Sequence, residues 1–414
     1  MGSGIFVADI GTSSLKAAII SQDGKVLQYQ RVFFPQPVKA QDWVRSFFTV
    51  FERLRAVHHV IAITISGNGP SVVAVHKKSH AEDQLILWNQ AGASDPRCGV
   101  SLFLPKVLLL LQRLHFCARD VQFFLSSHEY LIYRLTGCAV TVLPERRYMP
   151  TYWTSESLRA CALPETLFAP FVAPGSIVAS YRGIPVVCGA PDFAAALIGT
   201  NTLHAGSGCD RAGSSEGLNV CVRLPPAIRS ADARVRVLPS LRADFWNVSF
   251  LIADSGSRFA SYMRRTHAQG FGERMGQIMA LPFQLHDAYP PTVVGEGRQL
   301  VEDLAFEVCA GLEYLESVTQ LQPVYTVSGG QAKDSRWLQL KADVSGRCFV
   351  LPEIHDAELT GNAALACVAL DFDADMQTAA QRLCRLKREF IPNRARHEQY
   401  AQKRLLRAAR EAQG

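Results

Sequence analysis

Apolar residues near the start of the chain come in two runs, IFVA and LKAAII, separated by Asp9, an isoleucine and the small residues Gly-Thr-Ser-Ser. Runs of this length predict two strands around a tight turn over residues 4–20, and Asp-Gly at 23–24 with further alternation behind it adds a hairpin. Residues 41–56 (QDWVRSFFTVFERLRA) have a helical period, and HVIAITISG at 59–67 reads as a buried strand ending in a glycine-rich bend. SVVAVHKK and QLILWN are short strands, and EYLIYRLTG at 129–137 is a helix that Gly137 can close in the left-handed conformation. IPVVCGAPD at 184–192 is an apolar strand running into an aspartate, with DFAAALIGTNTL helical behind it. A second half starting near residue 203 carries a helix over 300–319, the strand VYTVSGG at 324–330 and an Ala-rich helix over 361–370. Each half thus contains a strand, a small-residue turn and a polar strand end, a faint duplication.

Composition narrows the class. With 414 residues, 48% of them hydrophobic, the chain can bury a large core and divides into two domains. The longest apolar stretch, SLFLPKVLLLLQ, is interrupted by Pro105 and Lys106 and is too short to span a bilayer, so no membrane partner is expected. No basic region and cleavage site flank an N-terminal apolar core, so no signal peptide is expected. Eleven cysteines lie at irregular spacing with no C-x-x-C pair, which fits reduced thiols in a cytoplasm. The histidines show no H-E-x-x-H, which argues against zinc. Net charge is +6, and from Arg382 to Arg410 ten Lys/Arg face two Glu. Leu383, Leu386, Phe390, Tyr400, Leu405 and Leu406 interleave those charges, so the segment reads as an amphipathic terminal helix rather than a nucleic-acid tail.

Asp9 poses the chemical question, because an uncompensated buried charge is expensive. The turn behind it supplies unhindered backbone N–H groups and hydroxyls, the chemistry of a phosphate cradle. An aspartate cannot hold phosphate itself, but it can hold Mg²⁺, usually through water, and the ion holds the phosphates. Taken alone, the same turn serves equally as a structural bend. An antiparallel opening also argues against a dinucleotide-binding start, which requires G-x-G-x-x-G leading directly into a helix.

Further segments follow in a recognisable order. DIGTSSLKAAIISQDGKV, ITISGNGPSVVAV, ILWNQAGAS, EYLIYRLTG, GAPDFAAALIGT, AGSSEG, VSGGQAKDSRWLQLKAD and IPNRARHEQYAQKRLL together resemble the FGGY carbohydrate kinases of the actin-like ATPase superfamily, in their xylulokinase-like branch. The resemblance runs over nearly the whole chain. It implies an α/β protein of two ribonuclease-H-like domains, 1–202 and 203–414, with a nucleotide and sugar cleft between them. Further implications are ATP and Mg²⁺ as cofactors, a small sugar or polyol as substrate, no nucleic-acid partner, and a homodimer as one assembly open to it. By matching position, Asp192 would be the general base, Asp9 would organise Mg²⁺, and Gly11, Thr12 and Ser13 would cradle phosphate with Lys16 beside the transferring group. Gly213, Ser214 and Ser215 would form a second phosphate clamp, Gly329, Gly330 and Gln331 would pass under the adenosine, and Asn68 would face the substrate. Each has a plainer reading: Asp192 as a helix N-cap, Lys16 as a solvated strand residue, Gly329 and Gly330 as an ordinary turn, Asn68 as a backbone-bonding turn residue.

The sequence also departs from the family's pattern. W-N-D-x-R becomes Trp88-Asn89-Gln90-Ala91-Gly92, without the acid and the arginine that help bind the polyol. Gly69 and Pro70 stand where the branch has bulkier sugar-contacting side chains, Glu145-Arg146-Arg147 matches a further substrate-side acid only loosely, and of P-Y-L-x-G-E-R-x-P only VVGEGRQ at 293–299 is echoed. Three functions therefore compete: a ketose or polyol kinase, a catalytically weakened nucleotide-binding sugar sensor, and an actin- or chaperone-like ATPase acting on protein. The GAPDFAAALIGT and SGGQAKDSRWLQLKAD blocks favour the sugar kinases over the last.

Overall fold

A computed structural model describes residues 2–78, 82–113, 118–213, 215–226, 232–268, 270–286 and 289–411. The chain forms two compact units, the first of Met1–Gly199 with Ala357–Leu383, the second of Thr200–Asp356 with Cys384–Gly414. The contiguous halves 1–202 and 203–414 are thereby corrected, because the helix Ala357–Ala369 belongs to the first unit. Its docking is made possible by two glycines. A Cβ on Gly361 would lie 1.9 Å from Ala195 O, and one on Gly199 would lie 1.9 Å from Ala357 O. Two helices can approach at backbone distance only where a side chain is missing.

The first unit is built on a six-stranded sheet of β1 (Ser3–Ile10), β2 (Ser14–Ile20), β3 (Val26–Phe33), β4 (His59–Gly67), β5 (Ile177–Tyr181) and β6 (Ile184–Pro191), in the order β5-β6-β4-β1-β2-β3. β1 pairs antiparallel with β2 and parallel with β4, and β4 pairs parallel with β6. The helix Ala40–Arg55 packs its apolar stripe here, and Phe6 meets the Phe47 and Phe51 rings edge-on at 5.4 and 5.1 Å. Gly137 closes the helix Ser127–Thr136 at φ +76°, as its sequence implies.

The second unit carries a seven-stranded sheet of β7 (Gly208–Ala212), β8 (Glu216–Val222), β9 (Val235–Pro239), β10 (Trp246–Ile252), β11 (Tyr325–Ser328), β12 (Phe349–Pro352) and β13 (Leu386–Phe390), ordered β9-β10-β8-β7-β11-β12-β13. Its centre repeats that of the first sheet: the hairpin β7-β8, then β11 and β12 parallel to β7. The faint duplication in the sequence is therefore a duplication of topology. Residues 293–299, which echo P-Y-L-x-G-E-R-x-P, open the long helix Val293–Thr319, with Thr292 Oγ1 accepting from Gly295 N at 3.2 Å.

The basic C-terminal segment is not one amphipathic helix. Arg382 and Leu383 end the helix Met376–Leu383, Leu386–Phe390 is the edge strand β13, and a second helix runs from Arg394 to Glu411. Pro392 separates the two, since the residue before a proline avoids helical geometry. Lys403, fully buried, anchors that helix by donating to Glu302 Oε2 at 2.5 Å. Among the described residues no helix is long and apolar enough to cross a membrane, and the cysteines form no disulfide.

Candidate active site

The hairpin β1-β2 sets Asp9 directly across from Lys16, and Gly11 N donates to Ser14 O at 2.9 Å, which leaves Thr12 and Ser13 at the tip of the turn. The parallel register then aligns three strand ends: Asp9 beside Ser66, and Ile10 and Pro191 both beside Gly67. Asp192 follows Pro191 and opens the helix Asp192–Gly199. The carboxyl ends of parallel strands are where α/β sheets usually bind ligands.

Asp9 is 2% exposed. Ser66 Oγ donates to its Oδ1 at 2.8 Å, and Lys16 Nζ lies 3.6 Å from its Oδ2. Lys16 is also 3.6 Å from Glu358 Oε2. Burial pushes the Asp9 carboxyl up to about 7; Lys16 and the Ser66 hydrogen bond pull against this, while the charges of Glu358 and Asp192 add to it. Asp192 is half-buried, and its Oδ1 accepts from Phe193 N at 2.6 Å.

Asn68 is 1% exposed; its Oδ1 accepts from Ser71 Oγ at 2.5 Å and its Nδ2 has no hydrogen-bond partner among the described residues. Ser71 Oγ also accepts from Trp88 N at 3.0 Å, and Trp88 Nε1 donates to Thr12 Oγ1 at 2.8 Å. One turn thus joins the end of β4 to the Gly-Thr-Ser turn. It is held from below by Lys106, 5% exposed, whose ammonium donates to the carbonyls of Leu87 (3.0 Å), Trp88 (3.2 Å) and Gln90. Burial pulls the Lys106 pKa down.

The second unit gathers its own cluster. Gln331 Nε2 donates to Gly213 O at 3.1 Å and Ser255 Oγ at 3.3 Å, and Gly213 N donates to Ser215 O at 2.9 Å. Gly329 sits at φ +92° with Ala212 O 2.4 Å from where a Cβ would be, so the chain passes there only as glycine. Gly330 has nothing within 4 Å of its Cβ position. Ser214 lies outside the described residues. Beneath the cluster, Ser255 Oγ donates to Glu216 Oε2 at 2.6 Å, and Lys341 bridges Glu216 to Asp210, donating to Asp210 Oδ2 at 2.6 Å.

The sequence pattern of the "FGGY family of carbohydrate kinases, C-terminal domain" matches residues 230–370. The chain is 21% identical to "Xylulose kinase" of Bacillus subtilis, an alignment covering 95% of this chain and 93% of that protein. The chain thus carries the C-terminal-domain pattern of the FGGY carbohydrate kinases over about a third of its length and is similar to a xylulose kinase over nearly all of it. Its fold is that of solved two-domain sugar kinases. It superposes on a "xyloylose kinase" of Brucella ovis with a TM-score of 0.76 at 18% identity, covering 99% of this chain and 100% of that one. On a gluconate kinase of Lactobacillus acidophilus the TM-score is 0.79 at 15% identity, covering 99% and 98%.

Ser66, Glu358 and Asn362 in the first unit, and Glu216, Ser255 and Lys341 in the second, were not singled out by sequence reasoning. The signal available was a polar residue in an otherwise apolar stripe, as with Asn362 in AELTGNAALACVA. Among the described residues no group of three or more His, Cys, Asp or Glu is placed to hold a metal ion. Magnesium nonetheless fits Asp9, because it is commonly held by one or two carboxylates with water and phosphate oxygens completing its shell. The Lys16 ammonium at 3.6 Å forms no hydrogen bond with Asp9 and leaves Oδ2 available.

Proposed function

We propose that the chain transfers the terminal phosphoryl group of Mg²⁺-bound ATP to a hydroxyl of a ketose or polyol, with Asp192 as general base. The supporting observation is the alignment of strand ends that puts Asp9, Lys16 and the Asp192 helix at one end of one sheet. Phosphoryl transfer is mostly positioning and charge neutralisation, so few residues are needed. Asp9 would hold the ion, which when bound neutralises phosphate charge. Gly11, Thr12 and Ser13 would wrap phosphate oxygens, and Lys16 would place its charge beside them. Asp192 would take the proton of the attacking hydroxyl as that oxygen bonds to phosphorus and ADP leaves. Asn68, with its unpartnered Nδ2, would donate to a substrate oxygen. In the second unit, Gly213, Ser214 and Ser215 would serve phosphate, and Gly329, Gly330 and Gln331 the adenosine.

One observation favours a second reading, a nucleotide-binding sugar sensor with weakened catalysis. In the Trp88–Gly92 segment the acid and arginine of the family pattern are absent, and the Lys106 ammonium in contact with the turn donates to backbone carbonyls. A panel of ketoses, polyols and sugar acids assayed for ADP release separates the two. The kinase reading expects turnover on a panel member and a loss of roughly 10²–10⁴-fold in Asp192→Asn, with ADP affinity little changed. Turnover equal in wild type and variant refutes the base assignment, and nucleotide binding with no turnover on any sugar favours the sensor.

A further inference from the structure

One helix acts on the Asp9 carboxylate through two intermediaries, Ser66 and Lys16. In Ala357–Ala369, Glu358 and Asn362 stand four positions apart and so share a face. Asn362 is fully buried, and its Nδ2 donates to Ala8 O at 2.9 Å and to Ser66 Oγ at 2.8 Å. Ser66 Oγ in turn donates to Asp9 Oδ1 at 2.8 Å, so this oxygen is held through a two-bond relay. The other oxygen faces an ammonium shared with Glu358: Lys16 Nζ stands 3.6 Å from Asp9 Oδ2 and 3.6 Å from Glu358 Oε2. Neither contact is short enough to be a hydrogen bond, so each of these two carboxylates holds the ammonium by charge alone. Glu358 Oε2 is buried and accepts no hydrogen bond among the described residues.

Charge accounting gives this arrangement a use. A divalent cation at Asp9 repels the ammonium that faces the same oxygen. Without a second counter-ion, Lys16 must either oppose the cation or leave the site where its charge is needed. Glu358 is that second counter-ion. A plainer role exists, because an acid in the first turn of a helix is favourable by itself; that role has no connection to Lys16.

We propose that Glu358 is a positioning residue of the Asp9 site, taking over the Lys16 ammonium when a divalent cation engages Asp9, while Asn362 acts through Ser66 to keep the carboxylate aimed. The inference deepens the nucleotide reading above and rests on it. Calorimetric titration of ADP with and without Mg²⁺ yields the factor by which the ion strengthens nucleotide binding, a readout independent of turnover. Glu358→Gln should lower that factor about tenfold, the size expected when one nearby charge is left unbalanced. In a Lys16→Ala background the same substitution should leave it unchanged, because no ammonium remains to be moved. An equal drop in both backgrounds, or no drop in the single variant, overturns the proposal while leaving nucleotide binding standing. Failure of Mg²⁺ to strengthen ADP binding in the wild type overturns the nucleotide reading and this inference together.

Discussion

Asp9 and Asp210 each stand in the first strand of an antiparallel hairpin whose other neighbour is a parallel strand. Burial pushes both carboxyls up to about 7, against the pull of a lysine in each case. The lysines differ. Lys341, Asp210 and Glu216 have fully buried side chains in hydrogen-bond contact. One ammonium cannot balance two carboxylates. Burial works to raise Glu216, yet Lys341 and Ser255 hold it below its ordinary value, and Asp210 is left as the group that rises. Lys16 instead stands 3.6 Å from Asp9 Oδ2 and from Glu358 Oε2, beyond hydrogen-bond reach of each, and its side chain is 16% exposed. The same topology thus yields a lock in the second unit and an exchangeable charge in the first.

The largest expected effect tests the lock. Lys341→Met strands two buried carboxylates and should cost about 3–5 kcal/mol in denaturant unfolding. Lys16→Met, which removes contacts at 3.6 Å that are not hydrogen bonds, should cost less, about 1–2 kcal/mol. Equal losses would erase the distinction.

A second effect comes from Asp9 itself. The folded state keeps its proton to about pH 7, whereas the ordinary carboxyl loses it near 3.8. Protons therefore favour the folded state in that window, and stability falls as pH rises through it. Asp9→Asn should remove this slope and stabilise the chain by roughly 1–4 kcal/mol at pH 8. Unfolding curves from pH 4 to pH 8 with the same slope in variant and wild type would contradict the assignment.

Glycines sharpen the comparison further, because Gly361 lies in the helix Ala357–Ala369 of the first unit and Gly330 opens the 3-10 turn Gly330–Lys333 of the second. Gly361→Ala drives a Cβ into Ala195 O and should cost about 1–3 kcal/mol. Gly330→Ala meets nothing within 4 Å and should stay within about 0.5 kcal/mol. Thermal unfolding of the two variants measures both.

Local pattern made the first unit's strands legible. The Asp9 turn, the stop at Gly137 and the passage from strand into helix at Asp192 follow from alternation, glycine and short polar breaks within a few residues. What stayed hidden depends on distance along the chain. Glu358 and Asn362 reach Asp9 from some 350 residues away, and no periodicity in an Ala-rich helix tells which unit it will join. Lys341 lies within a recognised block, yet its carboxylate partners sit on strands far upstream. The strand Leu386–Phe390 was absorbed into a helical reading because charges and leucines interleave at spacings that suit either period.

The central claim is that Asp9 exchanges its counter-ion for a metal–nucleotide complex while Asp210 belongs to a closed triad. Calorimetric titration of ADP with and without Mg²⁺, in folded Asp9→Asn and Asp210→Asn chains, tests it most directly. The account predicts that Asp9→Asn abolishes the strengthening by Mg²⁺ and that Asp210→Asn retains it. Retention in Asp9→Asn, or its loss in a folded Asp210→Asn chain, would contradict the account.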